Sequence, residues 1–215
     1  MDFISSDDIK FKLPFGAIIS GSSNTGKTQF LLKLIKNADQ MFEPKIKDIL
    51  YCYGQYGKHI VELQNLDVKV HSGIPPDTLL EQLNKPFLLV LDDLIDSIEQ
   101  KSLSSFFTRR NHHENFGVIV VTQNLFAKNL MIARNNSSYV ILTRSPNALL
   151  QIRNFGVQIF PGKAQLNYFL DAYKDATSVP YGYLLVDLHP TTESSFRLRT
   201  NIFPDDKEHT VFYPK

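Results

Sequence analysis

Short apolar runs recur along the chain, separated by stretches in which apolar residues keep helical spacing. The run Phe87-Leu88-Leu89-Val90-Leu91 is apolar at every position, as a strand covered on both faces requires. Residues 16–20, 48–53, 117–122 and 138–143 have the same character, and 67–71 reads as a short extra strand. Over 28–42, Phe30, Leu31, Leu34, Ile35, Ala38, Met41 and Phe42 keep helical spacing while Lys33, Lys36 and Asp39 fall elsewhere. Pro75-Pro76 opens a helix over 78–83, and the patterns over 98–108, 147–156 and 164–175 predict three more. Two strands close the pattern, 183–187 and 196–202, joined by the polar stretch His189–Ser195, which suits a hairpin turn. Strands that alternate with helices predict an α/β fold with a mainly parallel sheet.

Length and charge narrow this further. A chain of 215 residues with 43% hydrophobic positions fits one domain, expected over 1–203 with its C-terminal hairpin, followed by an extended tail over 204–215. Lys and Arg exceed Asp and Glu by 23 − 22 = 1, so bulk charge neither announces nor excludes a nucleic-acid partner. The single cysteine, Cys52, can form no internal disulfide and sits in a strand pattern, which predicts a buried inert thiol and a reducing compartment. The first ten residues lack a basic start and apolar run, and no apolar run is long enough to cross a bilayer. The expectation is a soluble intracellular protein without a membrane partner, in nucleus or cytoplasm.

The chemistry begins at Gly21-Ser22-Ser23-Asn24-Thr25-Gly26-Lys27-Thr28, which matches G-x-x-x-x-G-K-[ST] between a strand and an amphipathic helix. The glycines allow a compact loop whose amides face phosphate oxygens, with the positive end of the next helix aimed at the same place. Lys27 is expected at the β- and γ-phosphates of ATP and the Thr28 hydroxyl on Mg2+. A carboxylate at the end of a buried strand should complete the magnesium shell, and Asp92 stands there, 92 − 27 = 65 residues beyond the lysine. Asp93 is the expected general base for the attacking water, or otherwise the N-cap of the next helix. Strand 117–122 runs into Gln123, which can contact both the γ-phosphate and the water, or simply end the strand on a polar residue. Asn124 is the neighbouring alternative. His112 and His113 point apart, with no second ligand pair at metal spacing, so a polar loop or interface contact is expected of them.

Together, residues 21–28, 87–94, 106–126, 134–146, 181–190 and 195–204 resemble the FtsK–HerA superfamily of DNA-translocating P-loop ATPases. They are most similar to genome-packaging ATPases of large double-stranded DNA viruses and Polinton/Maverick elements. The resemblance implies an ASCE-type three-layer sandwich and a homo-oligomeric ring, a hexamer, that threads double-stranded DNA during ATP hydrolysis. It also implies an arginine reaching into a neighbour's site, with Arg109 and Arg110 leading and Arg134 and Arg144 as alternatives. A capsid or portal protein is the further partner it implies, and with it association with a virion; the tail over Asp205–Lys215 or a surface loop is expected to make that contact.

Other readings stand beside this one. A superfamily 3 helicase shares the N-T-G-K-T loop, but ends its sensing strand on asparagine and carries an origin-binding domain upstream, where this loop begins at residue 21. A small-molecule kinase needs an acceptor pocket and an arginine-rich lid, and no such lid segment is evident. A non-catalytic nucleotide-binding subunit stays open because aspartate replaces the usual glutamate at residue 93.

Overall fold

The computed structural model describes residues 10–213; residues 1–9, read above for targeting signals, and Pro214 and Lys215 of the tail lie outside them. In chain order the first half contains β1 (Phe11–Lys12), β2 (Phe15–Ser20), α1 (Lys27–Lys36), α2 (Ala38–Met41), β3 (Phe42–Glu43), β4 (Asp48–Tyr53), α3 (His59–Asn65), β5 (Lys69–Ser72), α4 (Asp77–Glu81) and β6 (Phe87–Asp92). The second half continues with α5 (Gln100–Ser105), a π-helical turn at Phe106–Arg110, α6 (Asn111–Glu114), β7 (Phe116–Thr122), α7 (Met131–Asn135) and β8 (Tyr139–Thr143). It ends with α8 (Leu149–Ile159), α9 (Lys163–Ala176), β9 (Tyr183–Asp187), β10 (Leu198–Thr200) and β11 (Thr210–Val211).

Among the described residues the main sheet runs β11-β10-β9-β8-β2-β7-β6-β4-β5. The six strands from β8 to β5 are parallel, and β9, β10 and β11 add antiparallel at the β8 edge. Strand β7 lies between β2, which leads into the phosphate loop, and β6, which carries the Asp92–Asp93 pair. The expected parallel sheet and C-terminal hairpin are therefore present.

Alternation along each strand builds the three layers. Ile18, Leu89, Leu91, Val118, Val120, Val140 and Leu142 face one apolar layer, closed by α5, α8 and α9. Ala17, Ile19, Leu88, Val90, Ile119, Val121 and Ile141 face the other, closed by α1 and α3. Both layers are apolar, which is why these strands lack a polar face in sequence.

Several elements differ from the sequence reading. The helix expected over 28–42 breaks at Asn37, whose backbone leaves the helical region and whose Nδ2 donates to the Lys33 carbonyl at 3.0 Å. Phe42 then joins the small parallel ladder β1–β3, where Phe11, Phe15, Phe42 and Tyr139 pack ring on ring. The helix over 98–108 starts later and runs on through the π turn to Glu114, ending where Asn115 adopts φ 51°. The last strand is shorter than 196–202, because Ser194–Phe196 forms a 3-10 turn first. In the tail, Thr210–Val211 folds back onto β10 of its own chain.

Candidate nucleotide site

The phosphate loop leaves β2 at the C-terminal edge of the parallel strands and enters α1. Asn24 (φ 61°) and Gly26 (φ 104°) take left-handed backbone, and α1 begins directly after, its first bond running from the Phe30 amide to the Gly26 carbonyl at 2.8 Å. No side chain caps α1, so its first amides point into the loop as an anion site. Gly21 has no room for a side chain: a Cβ there would sit 1.8 Å from Thr143 Oγ1. Lys27 folds over the loop, its Nζ donating to the Gly21 and Ser22 carbonyls at 2.7 Å each. Burial lowers its pKa, with Asp92 and Asp93 pulling the other way.

The polar end of β8 holds the loop from the side. The Ser22 amide donates to Ser145 Oγ at 3.1 Å, and Ser22 Oγ to Asn147 Oδ1 at 2.7 Å. Thr25 Oγ1 donates to the Ser22 carbonyl at 2.7 Å and lies 2.6 Å from Thr143 Oγ1. Thr143, Ser145 and Asn147 escaped the sequence reading. Their signal was the switch from the apolar run of β8 to polar residues at its end.

Asp92 ends β6 and Asp93 follows it, with different surroundings. The Tyr51 hydroxyl on β4 donates to Asp92 Oδ2 and lies 3.2 Å from His59 Nε2, which is itself 3.9 Å from the same oxygen. Oδ1 is the oxygen left to face a cation. Burial raises the Asp92 pKa, with the Tyr51 hydrogen bond acting against it. Asp93 is exposed, with φ 55°, and caps no helix, because α5 begins at Gln100. Its backbone is pinned by Gly54, whose amide donates to the Asp92 carbonyl at 2.9 Å and whose Cα faces the Asp93 carbonyl. Tyr51, His59 and Gly54 carry no motif and were found only by the pairing of β4 with β6.

Just past β7, Gln123 Oε1 accepts from Ser23 Oγ at 3.1 Å, so this side chain reaches the phosphate loop. Asn124 instead turns on its own chain, its Oδ1 accepting from the Phe126 amide at 3.0 Å. Thus Lys27, Thr28, Asp92, Asp93 and Gln123 all lie at one edge of the sheet.

The candidate arginines have different surroundings. Arg109 is exposed on the π turn, which runs through α6 toward the start of β7, away from the phosphate loop. Arg110 pairs with Asp77 at 2.7 Å and Glu114 at 3.0 Å beside the Phe106 ring. Arg134 donates to the Leu125 carbonyl at 2.9 Å and lies over Phe126. Arg144 is exposed at the end of β8, next to Ser145. His112 and His113 are exposed on α6. Among the described residues no three His, Cys, Asp or Glu side chains gather as a metal site, and no helix is long and apolar enough to cross a membrane.

No protein-family model and no curated protein matches the sequence. Solved structures do resemble the fold. A Thermomonospora curvata EccC structure of ATPases 2 and 3, in complex with a signal sequence peptide, gives a TM-score of 0.50 at 13% identity, over 83% of this chain and 38% of that one. EssC (ATPases 2 and 3) from Geobacillus thermodenitrificans gives 0.45 at 11% identity, over 99% and 41%. A KaiC-like protein of the archaeon Pyrococcus horikoshii gives 0.39 at 15% identity, over 60% and 72%. This chain thus spans well under half the length of the EccC and EssC chains. The fold is that of an ASCE-type P-loop NTPase, a three-layer sandwich with a mainly parallel sheet.

Proposed function

We propose that this chain binds ATP with Mg2+, hydrolyses it, and couples hydrolysis to movement of double-stranded DNA through a homo-oligomeric ring. The observation that carries the hydrolytic reading is the convergence of Lys27, Thr28, Asp92, Asp93 and Gln123 on one edge of the sheet. The donor set fits a magnesium–phosphate group: a hydroxyl, a carboxylate with one oxygen already engaged by Tyr51, and a lysine now bonded only to loop carbonyls. Thr28 and Asp92 would hold Mg2+, which when bound neutralises charge on the β- and γ-phosphates. Lys27 would exchange the Gly21 and Ser22 carbonyls for phosphate oxygens. Asp93 takes the proton of the attacking water, and Gln123 orients that water against the γ-phosphate.

The ring, the DNA and an arginine donated by a neighbouring copy rest on the sequence resemblance. Arg109 and Arg144, exposed in the single chain, suit such a role better than Arg110, which is already paired. A capsid or portal partner, the virion and a hexameric ring rest on that resemblance alone.

The test is ATP hydrolysis with and without duplex DNA, with Lys27→Ala as the blank. Stimulation by duplex DNA that vanishes in the variant supports the proposal. Hydrolysis indifferent to DNA removes the translocation part, and ATP binding without hydrolysis removes Asp93 as a base. Separation of duplex strands would favour a helicase instead.

A further inference from the structure

We infer that Tyr181 is the stacking wall for the base of the bound nucleotide, an inference that rests on the nucleotide reading above. Direction comes first. The groups suited to the γ-phosphate, Asp93 and Gln123, follow β6 and β7, on one side of β2. A nucleotide whose γ end faces β7 and β6 must run its nucleoside end toward β8 and β9, the other side of β2.

Tyr181 stands on that side. Strand β9 pairs antiparallel with β8, Tyr183 opposite Thr143, so the segment just before β9 emerges over the same sheet edge as the phosphate loop. A Cβ built on Gly26 would lie 3.0 Å from Tyr181 Cβ and 3.1 Å from its Cα, which shows how closely the two backbones approach. Tyr181 and Asn24, Gly26, Lys27, Thr28 and Gln29 line one cleft of about 230 Å³. That cleft joins the start of α1, where loop amides cradle the α- and β-phosphates, to an aromatic ring.

The residue is also conspicuous in its backbone and exposure. Tyr181 is 57% exposed and belongs to neither apolar layer. Its φ of 60° is a costly conformation for a bulky residue, of the kind that persists at ligand clamps. The turn that imposes it is tight: a Cβ on Gly182 would sit 2.3 Å from the Ala176 carbonyl oxygen. A phenol ring held this way stacks on any planar base, so it supplies affinity without choosing between purines.

The experiment is calorimetric titration of the full chain with Mg·ATP, Mg·GTP and Mg·tripolyphosphate, comparing wild type, Tyr181→Phe and Tyr181→Asn. Asparagine tolerates positive φ and lacks the ring, so folding is retained, and thermal melting checks this. Tyr181→Asn is expected to bind ATP and GTP about tenfold or more weakly, with tripolyphosphate affinity unchanged and Tyr181→Phe like wild type. Wild-type ATP affinity in Tyr181→Asn overturns the inference. So does an equal loss of tripolyphosphate binding, which would make Tyr181 a prop for the loop. A wild type that binds neither triphosphate nor tripolyphosphate instead removes the nucleotide site itself, and the inference with it.

Discussion

Adding one methyl group at Gly54 should disable hydrolysis while leaving ATP binding intact. A Cβ on Gly54 would lie 2.4 Å from the Asp93 carbonyl oxygen and 3.2 Å from its carbonyl carbon, both main-chain atoms. An ordinary carbon–oxygen contact is about 3.3 Å, so with the 2.4 Å approach one strand must retreat by about 3.3 − 2.4 = 0.9 Å. No rotamer change relieves this, because neither partner is a side chain. Asp93 already sits at φ 55°, so the displacement passes into the residue that would face the attacking water. A misplacement of about 1 Å can cost a reaction about a hundredfold. Gly54→Ala is therefore expected to lower kcat about 10- to 100-fold, with folding stability reduced by about 1–3 kcal/mol from the crowding. ATP affinity should hold, since the loop and α1 lie beyond β7 from β4. Steady-state ATP hydrolysis, calorimetric ATP binding and urea unfolding would check all three. A kcat equal to wild type, in a variant shown to be folded, would refute the reasoning.

Other substitutions probe the same site and its frame. Burial raises the Asp92 pKa, so its stabilising contribution is full below the unfolded carboxylate range and is lost as pH rises through the folded value. Asp92→Asn should therefore melt above wild type at neutral pH without Mg2+, with the gap closing in acid; a lower melting point at neutral pH would contradict this. Burial pushes the Cys52 thiol up to about 12, so thiol reagents at mildly alkaline pH should label it only after unfolding. Its stabilising contribution holds below the ordinary thiol value of 9.0 and declines as pH rises toward the folded one. Asp187 and Arg199 form a buried ion pair between β9 and β10, and Asp187→Ala should cost about 3–5 kcal/mol in urea unfolding. A loss under about 1 kcal/mol would make the pair equivalent to a surface bridge.

The strands were the most legible elements, because burial on both faces writes itself as unbroken apolar runs such as Phe87–Leu91. Helix ends were harder. Asn37 stops α1 through a side-chain bond to the Lys33 carbonyl, a choice that spacing alone does not reveal, and α3 and α7 are too short to build a period. At the site, the loop and the Asp92–Asp93 pair were legible because phosphate chemistry constrains residue type at fixed spacing. Tyr51, His59, Gly54 and the Thr143–Asn147 supports were not, since strand neighbours far apart in sequence bring them together. The alternative role of Asp93 as a helix cap fails on a local fact, the turn over residues 94–98 that separates it from α5.

The central position of β2 has a consequence for how the chain is made. Its two sheet neighbours are β7 and β8, and Ser20 pairs with Thr122 on one side and Leu142 on the other. A ribosome that has just added Ser20 must add 143 − 20 = 123 more residues before Thr143 exists to brace the loop. At about 5–20 residues per second this takes roughly 6–25 s. Until then the glycine-rich segment can have β7 beside its strand but lacks the Thr143 brace. Chains released before β8 should fail to bind ATP even though the whole motif has been synthesised.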